Sequence, residues 1–129
     1  DILPILFSCI VLFWVSGFDI IYALQDENFD KKFSLHSIPV LLGQKNALRF
    51  SRLMHIIAAT FTIFIGINYF TASILFWTAT TIFIGLLINQ HRLVKPNDLS
   101  KINLAFFTNN GIASLIFGII IVIELISNN

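Results

Sequence analysis

Residues 2–24 read ILPILFSCIVLFWVSGFDIIYAL, an apolar run whose one charged residue is Asp19. A helix needs about 20 mainly apolar residues to cross the hydrocarbon core of a bilayer, so this stretch predicts a membrane-spanning helix. Pro4 falls in its first turn, where a missing backbone N–H costs little. Runs such as IIIVI at 119–123 lack the alternation of a membrane β-strand. The predicted fold is therefore all-α.

The composition of the whole chain indicates an integral membrane protein. Of 129 residues, 57% are hydrophobic and only 12% are charged, whereas soluble domains carry roughly a quarter charged residues. A soluble protein this small could not bury so much apolar surface, which excludes an ordinary soluble enzyme. The net charge of +1 gives no sign of nucleic acid as a partner. Cys9 is the single cysteine, which excludes a disulfide framework within the chain.

Four stretches predict membrane spans, at residues 2–24, 53–70, 71–89 and 106–126. All eight basic residues fall in the two longer connections, and with four spans these connections emerge on the same side of the membrane. Excess Lys and Arg mark the cytoplasmic side, so both connections are expected in the cytoplasm. The basic residues are Lys31, Lys32, Lys45, Arg49, Arg52, Arg92, Lys95 and Lys101.

Carboxylates cluster where the first predicted helix ends. Asp19, Asp26 and Asp30 are separated by seven and four residues, which places them with Tyr22 on one face if the helix continues. Asp26 and Asp30 could then bind one Mg²⁺, a cation commonly held by one or two carboxylates and substrate phosphates. A solvated helix end, balanced by Lys31 and Lys32, would also account for Asp26, Glu27 and Asp30. It would not account for Asp19, because a charge within a span is costly and needs a polar partner or a water-filled cavity.

The same segment resembles a known motif. The run GFDIIYALQD at 17–26, with Asp30-Lys31, LHSIP at 35–39 and Gly43, resembles the second aspartate-rich motif of the UbiA superfamily of intramembrane prenyltransferases. Further along, HRLV at 91–94, Asn103, Phe106-Phe107 and Asn109-Asn110 are similar to the closing region of that family. The closest resemblance is to the 4-hydroxybenzoate polyprenyltransferase branch.

The resemblance implies that a longer protein contains this chain. Family members have about nine helices and a first motif, Asn-Asp-x-x-Asp, on an earlier helix pair, and the present sequence contains no match to it. Residues 1–129 are therefore expected to be the C-terminal four helices of a prenyltransferase domain, with residues 25–52 as its cytoplasmic active-site loop. The N-terminal half becomes an expected partner, and the chain alone is expected to be inactive.

The family's chemistry assigns expected roles to the residues of the motif. The resemblance implies Mg²⁺-dependent transfer of a polyprenyl group from polyprenyl diphosphate to a small aromatic acceptor. That acceptor is 4-hydroxybenzoate or, as an alternative, a naphthoate or another aromatic, in ubiquinone or menaquinone biosynthesis at the bacterial inner membrane. Asp26 and Asp30 are the implied metal ligands and catalytic residues, with Asp19 as a third ligand or as a group that orients a metal-bound water.

Three neighbouring residues have two interpretations each. Lys31 and Lys32 could bind the diphosphate or simply flank the membrane on its cytoplasmic side. Tyr22 could stabilise an allylic cation through its ring or pack in the core.

Other interpretations of the whole chain remain. A transporter or channel fragment would use Asp19 as an ion or proton site, but it predicts carboxylates near the bilayer midplane and broken helices. A structural membrane subunit would leave the row of aspartates unexplained. His55 and His91 fall at span ends and are expected at the membrane interface, while Arg49 and Arg52 are candidates for contacts with anionic lipid.

Overall fold

The computed structural model describes residues 1–127, and helices form nearly all of this part of the chain. The α-helices are α1 (Leu3–Ala23), α2 (Glu27–Lys32), α3 (Ile38–Tyr69), α4 (Ile74–Leu93) and α5 (Gly111–Ser127). A 3₁₀ turn (Leu24–Asp26) joins α1 to α2, and a π-helix (Leu104–Asn110) leads into α5. The described residues form no strand, which confirms the all-α prediction.

Four helical stretches are long and apolar enough to cross a membrane, as the sequence predicted. They are Leu3–Lys32, Ile38–Tyr69, Ile74–Leu93 and Leu104–Ser127. The third predicted span ends at residue 89, whereas α4 continues to Leu93. The fourth span begins with the π-helix at Leu104, two residues before the predicted start.

The start of α3 differs from the prediction. Residues 25–52 were expected to form a loop, but helix α3 begins at Ile38. Ser37 caps its first turn, because the Ser37 hydroxyl accepts a hydrogen bond from Val40 N–H at 3.4 Å. Pro39 lies in the first turn, where proline favours a helix. Gly43 does interrupt α3, with a φ of 79° that suits glycine.

Helices α3 and α4, which correspond to the adjacent predicted spans 53–70 and 71–89, form a helical hairpin. The backbone N–H of Ser73 donates to the carbonyl oxygen of Phe70 at 3.0 Å and closes the turn at 70–73. The Ser73 hydroxyl also accepts a hydrogen bond from Phe76 N–H at 3.0 Å and caps α4. The chain thus reverses direction in four residues, and α4 returns beside α3.

Helix α1 packs closely against α3. Ser51 Oγ on α3 donates a hydrogen bond to the carbonyl oxygen of Gly17 at 2.6 Å, and both residues are buried. Apolar side chains form two buried clusters along this contact. The larger cluster joins α1, α3, α4 and α5, and its members include Ile10, Ile65, Phe76 and Phe83. The smaller cluster lies near the aspartates and includes Ile20, Leu24, Leu48, Val94 and Ile102.

Candidate active site

The three predicted site aspartates lie along one nearly continuous helical path. Asp19 is on α1, Asp26 ends the 3₁₀ turn and Asp30 is on α2. Asp19 and Asp26 are exposed, and Asp30 is half-buried. A 3₁₀ turn advances about 120° per residue, compared with about 100° in an α-helix. The turn therefore rotates Asp26 and Asp30 further around the axis than an uninterrupted helix would.

The aspartates do not form a compact three-ligand cluster. Among residues 1–127, no group of three or more His, Cys, Asp or Glu side chains is arranged to hold a metal ion. Asp26 and Asp30, four residues apart on either side of the junction with α2, still offer carboxylate oxygens of the kind that Mg²⁺ prefers. Their role as a pair of ligands, with Asp19 as the third, stays a prediction.

Glu27 is a site residue that the sequence analysis missed. This carboxylate lies between Asp26 and Asp30 in the sequence but is only 7% exposed. Gln44 Nε2 of α3 donates a hydrogen bond to Glu27 Oε2 at 2.8 Å. Lys31 Nζ lies 2.9 Å from Glu27 Oε1. Glu27 therefore attaches the short helix α2 to α3, while Asp26 is exposed and Asp30 is half-buried.

Both candidate phosphate-binding lysines have local partners. Lys31 forms the ion pair with Glu27, at the i, i+4 spacing that is favourable on a helix. Lys32 Nζ lies 5.8 Å from the centroid of the Phe33 ring, within the range of a cation–π contact. Their role in binding diphosphate is neither supported nor contradicted by these contacts and stays a prediction.

Tyr22 lies in an aromatic group beside Asp19. Its ring centroid is 4.6 Å from that of Phe106, at the π-helix. Phe106 also contacts Phe18 of α1 edge-to-face, at 5.4 Å between centroids. Tyr22 remains 37% exposed. Its ring therefore has one face packed and part of its surface available, so both sequence-based interpretations of Tyr22 retain some support.

Asp19 stands at one end of an open groove along the outer face of α1. The groove wall is mainly apolar, and Ser8 and Ser16 are its other polar members. The remaining lining residues are Phe7, Val11, Leu12 and Val15. Within residues 1–127, no side chain forms a hydrogen bond or ion pair with Asp19. This face of α1 is therefore apolar along most of its length and ends at an exposed carboxylate.

The region before α5 contributes polar side chains near the same end of the bundle. Gln25 Nε2, in the 3₁₀ turn, donates to Asn103 Oδ1 at 3.3 Å. Gln90 Nε2 of α4 donates to Asn110 Oδ1 at 3.1 Å, and Asn89 Nδ2 donates to Asn109 Oδ1 at 3.3 Å. The two pairs from α4 hold the π-helix against that helix, and the pair from Gln25 ties the 3₁₀ turn to the residue before the π-helix. π-Helical turns are frequent at functional sites, although sequence alone gave no sign of this one.

The two histidines expected at the membrane interface contact each other between α3 and α4. His55 Nδ1 lies 2.7 Å from His91 Nε2, and His55 Nε2 lies 3.1 Å from the carbonyl oxygen of Trp14. His55 is 3% exposed. Their depth in the membrane stays a prediction, and their contact was not predicted because it depends on how α3 packs against α4.

Comparison with known proteins identifies the family. The model of the UbiA prenyltransferase family matches residues 1–111. A 4-hydroxybenzoate octaprenyltransferase from Nitrosomonas europaea is 32% identical over 106 residues. That match covers 82% of this chain but 36% of the relative, so the chain spans about a third of the length of this curated protein. No solved structure matches the chain. The match to the family model over most of the chain shows that it belongs to the UbiA prenyltransferase family.

Proposed function

We propose that the protein containing this chain transfers a polyprenyl group from polyprenyl diphosphate to an aromatic acceptor, with 4-hydroxybenzoate as the favoured acceptor. The observation that carries the proposal is the row of Asp19, Asp26 and Asp30 along one helical path, in a chain of the UbiA family. The name of the Nitrosomonas relative supports this acceptor. The reaction would be a step of ubiquinone or menaquinone biosynthesis.

The residues present fit a magnesium ion. Asp26 and Asp30 carry hard carboxylate oxygens, and neither is committed to a hydrogen bond or an ion pair within residues 1–127. Two carboxylates leave room for water and substrate phosphate, which is how Mg²⁺ is commonly bound. When bound, the ion neutralises charge on the diphosphate and makes it a better leaving group.

Several residues of this chain would then act directly on the substrates. Asp19 lies on α1 at the end of the groove, and it orients water or the diphosphate group of the substrate there. Tyr22 offers its exposed ring surface to the allylic cation that remains when diphosphate departs. Phe106 packs against Tyr22 and helps to keep water from that cation, which water would otherwise quench. Lys31 and Lys32 would bind the diphosphate, Lys31 beside its partner Glu27 and Lys32 beside the Phe33 ring.

The proposed activity needs more protein than these residues. A diphosphate carries more negative charge than one Mg²⁺ neutralises, and the first aspartate-rich motif, which has no match in this sequence, would hold a further ion. We therefore propose that the 129-residue chain alone is inactive and that the N-terminal half completes the site. The groove of α1, which ends at exposed Asp19, is the surface that this half would cover. The active-site segment would face the cytoplasm at a bacterial inner membrane.

The aspartates provide the decisive test. In the full-length protein in membranes, Asp26→Asn and Asp30→Asn should each lower Mg²⁺-dependent prenylation of 4-hydroxybenzoate about 100-fold or more. Asp98→Asn is the matched control, because Asp98 is an exposed carboxylate in the connection between α4 and the π-helix. Wild-type turnover in either folded site variant would overturn the assignment of the ligands.

The acceptor and the need for the other half are tested separately. A panel containing 4-hydroxybenzoate and a dihydroxynaphthoate should show turnover with the benzoate, and turnover with the naphthoate alone would move the protein to another branch of the family. Co-expression of residues 1–129 with the N-terminal helices should restore activity. Activity of the purified 129-residue chain alone would contradict the two-motif mechanism.

A further inference from the structure

A second groove opens between α3 and α4, and none of the site aspartates lines it. Its volume is about 470 Å³. Apolar side chains from both helices form most of its wall, and two arginines and the two paired histidines occupy the rest. The lining residues are Arg52, His55, Ile56, Ala59, Ile84, Leu87, Ile88, His91 and Arg92.

The two arginines lie at the same depth in the bundle. Arg52 precedes the end of α3 at Tyr69 by 17 residues, and Arg92 follows the start of α4 at Ile74 by 18 residues. At a rise of 1.5 Å per residue, both are about 26 Å from the hairpin turn. The hydrocarbon core is about 30 Å thick, so both guanidinium groups reach the membrane surface opposite the turn. The apolar wall runs from there into the hydrocarbon.

Hydrogen bonds fix the floor of the groove. Because a carbonyl oxygen can only accept, His55 Nε2–H donates to the carbonyl oxygen of Trp14, at 3.1 Å. In neutral His55, Nδ1 is then an acceptor, and His91 Nε2–H donates to it at 2.7 Å. The imidazoles thus join α3 to α4 directly beside the two arginines.

The arginines carry charge without a carboxylate partner. In residues 1–127, no carboxylate oxygen lies within 4.0 Å of the guanidinium nitrogens of Arg52 or Arg92, and both residues are exposed. The planar guanidinium group matches the oxygens of a phosphate and can bind two of them at once. A pair of such groups at the polar end of an apolar groove is complementary to an anionic amphiphile.

We propose that the α3–α4 groove binds one anionic phospholipid. Its phosphate lies between Arg52 and Arg92, and an acyl chain follows Ile56, Ala59 and Ile84 toward the middle of the membrane. The charge of the two arginines selects the headgroup, and the apolar wall requires a lipid tail. This lipid site is separate from the aspartates and does not depend on the proposed transferase reaction.

Native mass spectrometry can count the lipid molecules that stay bound to a protein. The sample is the whole natural protein, including any sequence beyond these 129 residues. Released from detergent with phosphatidylglycerol, the protein should retain one lipid molecule. Arg52→Gln with Arg92→Gln should weaken retention about tenfold or more. The matched control is Lys45→Gln with Lys95→Gln, which removes the same charge from exposed residues outside the groove and should change retention less than twofold.

Further arms distinguish the alternatives. Ala59→Trp fills the groove without changing its charge and should likewise weaken lipid retention. This variant keeps the proposal testable if the double arginine variant does not fold. Equal retention of phosphatidylcholine would reduce the groove to a nonspecific apolar surface. Equal binding of inorganic phosphate, or an equal loss in the control variant, would show that no lipid site exists. Absence of any retained lipid would mean that other sequence of the protein covers the groove. Each of these four outcomes would overturn the proposal.

Discussion

Gly17 lies directly against the imidazole of His55. A Cβ atom added to Gly17 would be 2.3 Å from Cδ2 and Nε2 of that ring, a distance that requires something to move. The ring itself is held by hydrogen bonds to His91 and to the carbonyl oxygen of Trp14. The absence of a side chain at Gly17 therefore lets α1 approach α3 two residues before Asp19.

Replacing this glycine should destabilise the helix contact. Gly17→Ala should displace the His55 ring and cost about 1–3 kcal/mol of stability, as expected for overpacking. The measurement is the thermal unfolding midpoint of the full-length protein in detergent. Gly85→Ala is the matched control, because a Cβ at Gly85 meets nothing within 4 Å. If the two variants unfolded at the same temperature, the contact between Gly17 and His55 would have no energetic importance.

Glu27 should control the order of α2. Glu27→Ala removes the acceptor of Gln44 and the partner of Lys31, and a hydrogen bond to a charged group contributes about 1.5–3 kcal/mol. We expect faster amide hydrogen exchange across residues 24–33 and lower transferase activity, because Asp26 and Asp30 flank the lost anchor. Asn28→Ala, at an exposed position of the same helix, should leave exchange unchanged. Unchanged exchange in Glu27→Ala would show that α2 is held by other contacts.

Cysteine labelling can establish the topology. In a Cys9→Ser background, cysteines at Asn28 and Asn97 should react with an impermeant reagent only after cells are permeabilised, because the basic connections are expected in the cytoplasm. A cysteine at Thr71, exposed in the hairpin turn, should react in intact cells. The reverse pattern would place the aspartates outside the cell.

The connection after α4 should respond to acid. The hydroxyl and backbone N–H of Ser100 donate to the Asp98 carboxylate, at 2.6 and 3.2 Å, and they lower the pKa of Asp98 below its usual value. These bonds favour the folded turn above the usual pKa and are lost as pH falls through the lowered one. Ser100→Ala should raise the pKa of Asp98 in a carbon-13 NMR titration, whereas Asn97→Ala should not. An unchanged value in Ser100→Ala would assign the shift to the backbone N–H of residue 100 and the nearby lysines.

The spans were predictable because hydrophobicity and length suffice for a helix in a bilayer. The start of α3 was not predictable, because Pro39 suits both a loop and the first turn of a helix. The hydroxyl of Ser37 favours the helix only once the backbone has the helical conformation. The ion pair of Glu27 with Lys31 follows a local spacing and could have been found in the sequence.

Contacts between distant residues required the folded chain. Gln44 is 17 residues from Glu27, and His91 is 36 residues from His55. The two residues of each pair lie on different helices, so their contact depends on how those helices pack and not on a repeat within one helix. The family motif indicated the aspartates. The burial of Glu27 between them in the sequence, and the π-helix at Leu104–Asn110, could be found only from the folded structure.

The short turn between α3 and α4 has a consequence for how the protein enters the membrane during its synthesis. Residues 70–73 carry no charge, so moving this turn across the bilayer requires no ion to be stripped of water. The two helices can therefore insert together as a hairpin. His55 and His91 belong to opposite arms of that hairpin, and they can pair before either ring meets hydrocarbon. Inserted one at a time, each helix would have to carry an unpaired polar ring into the lipid.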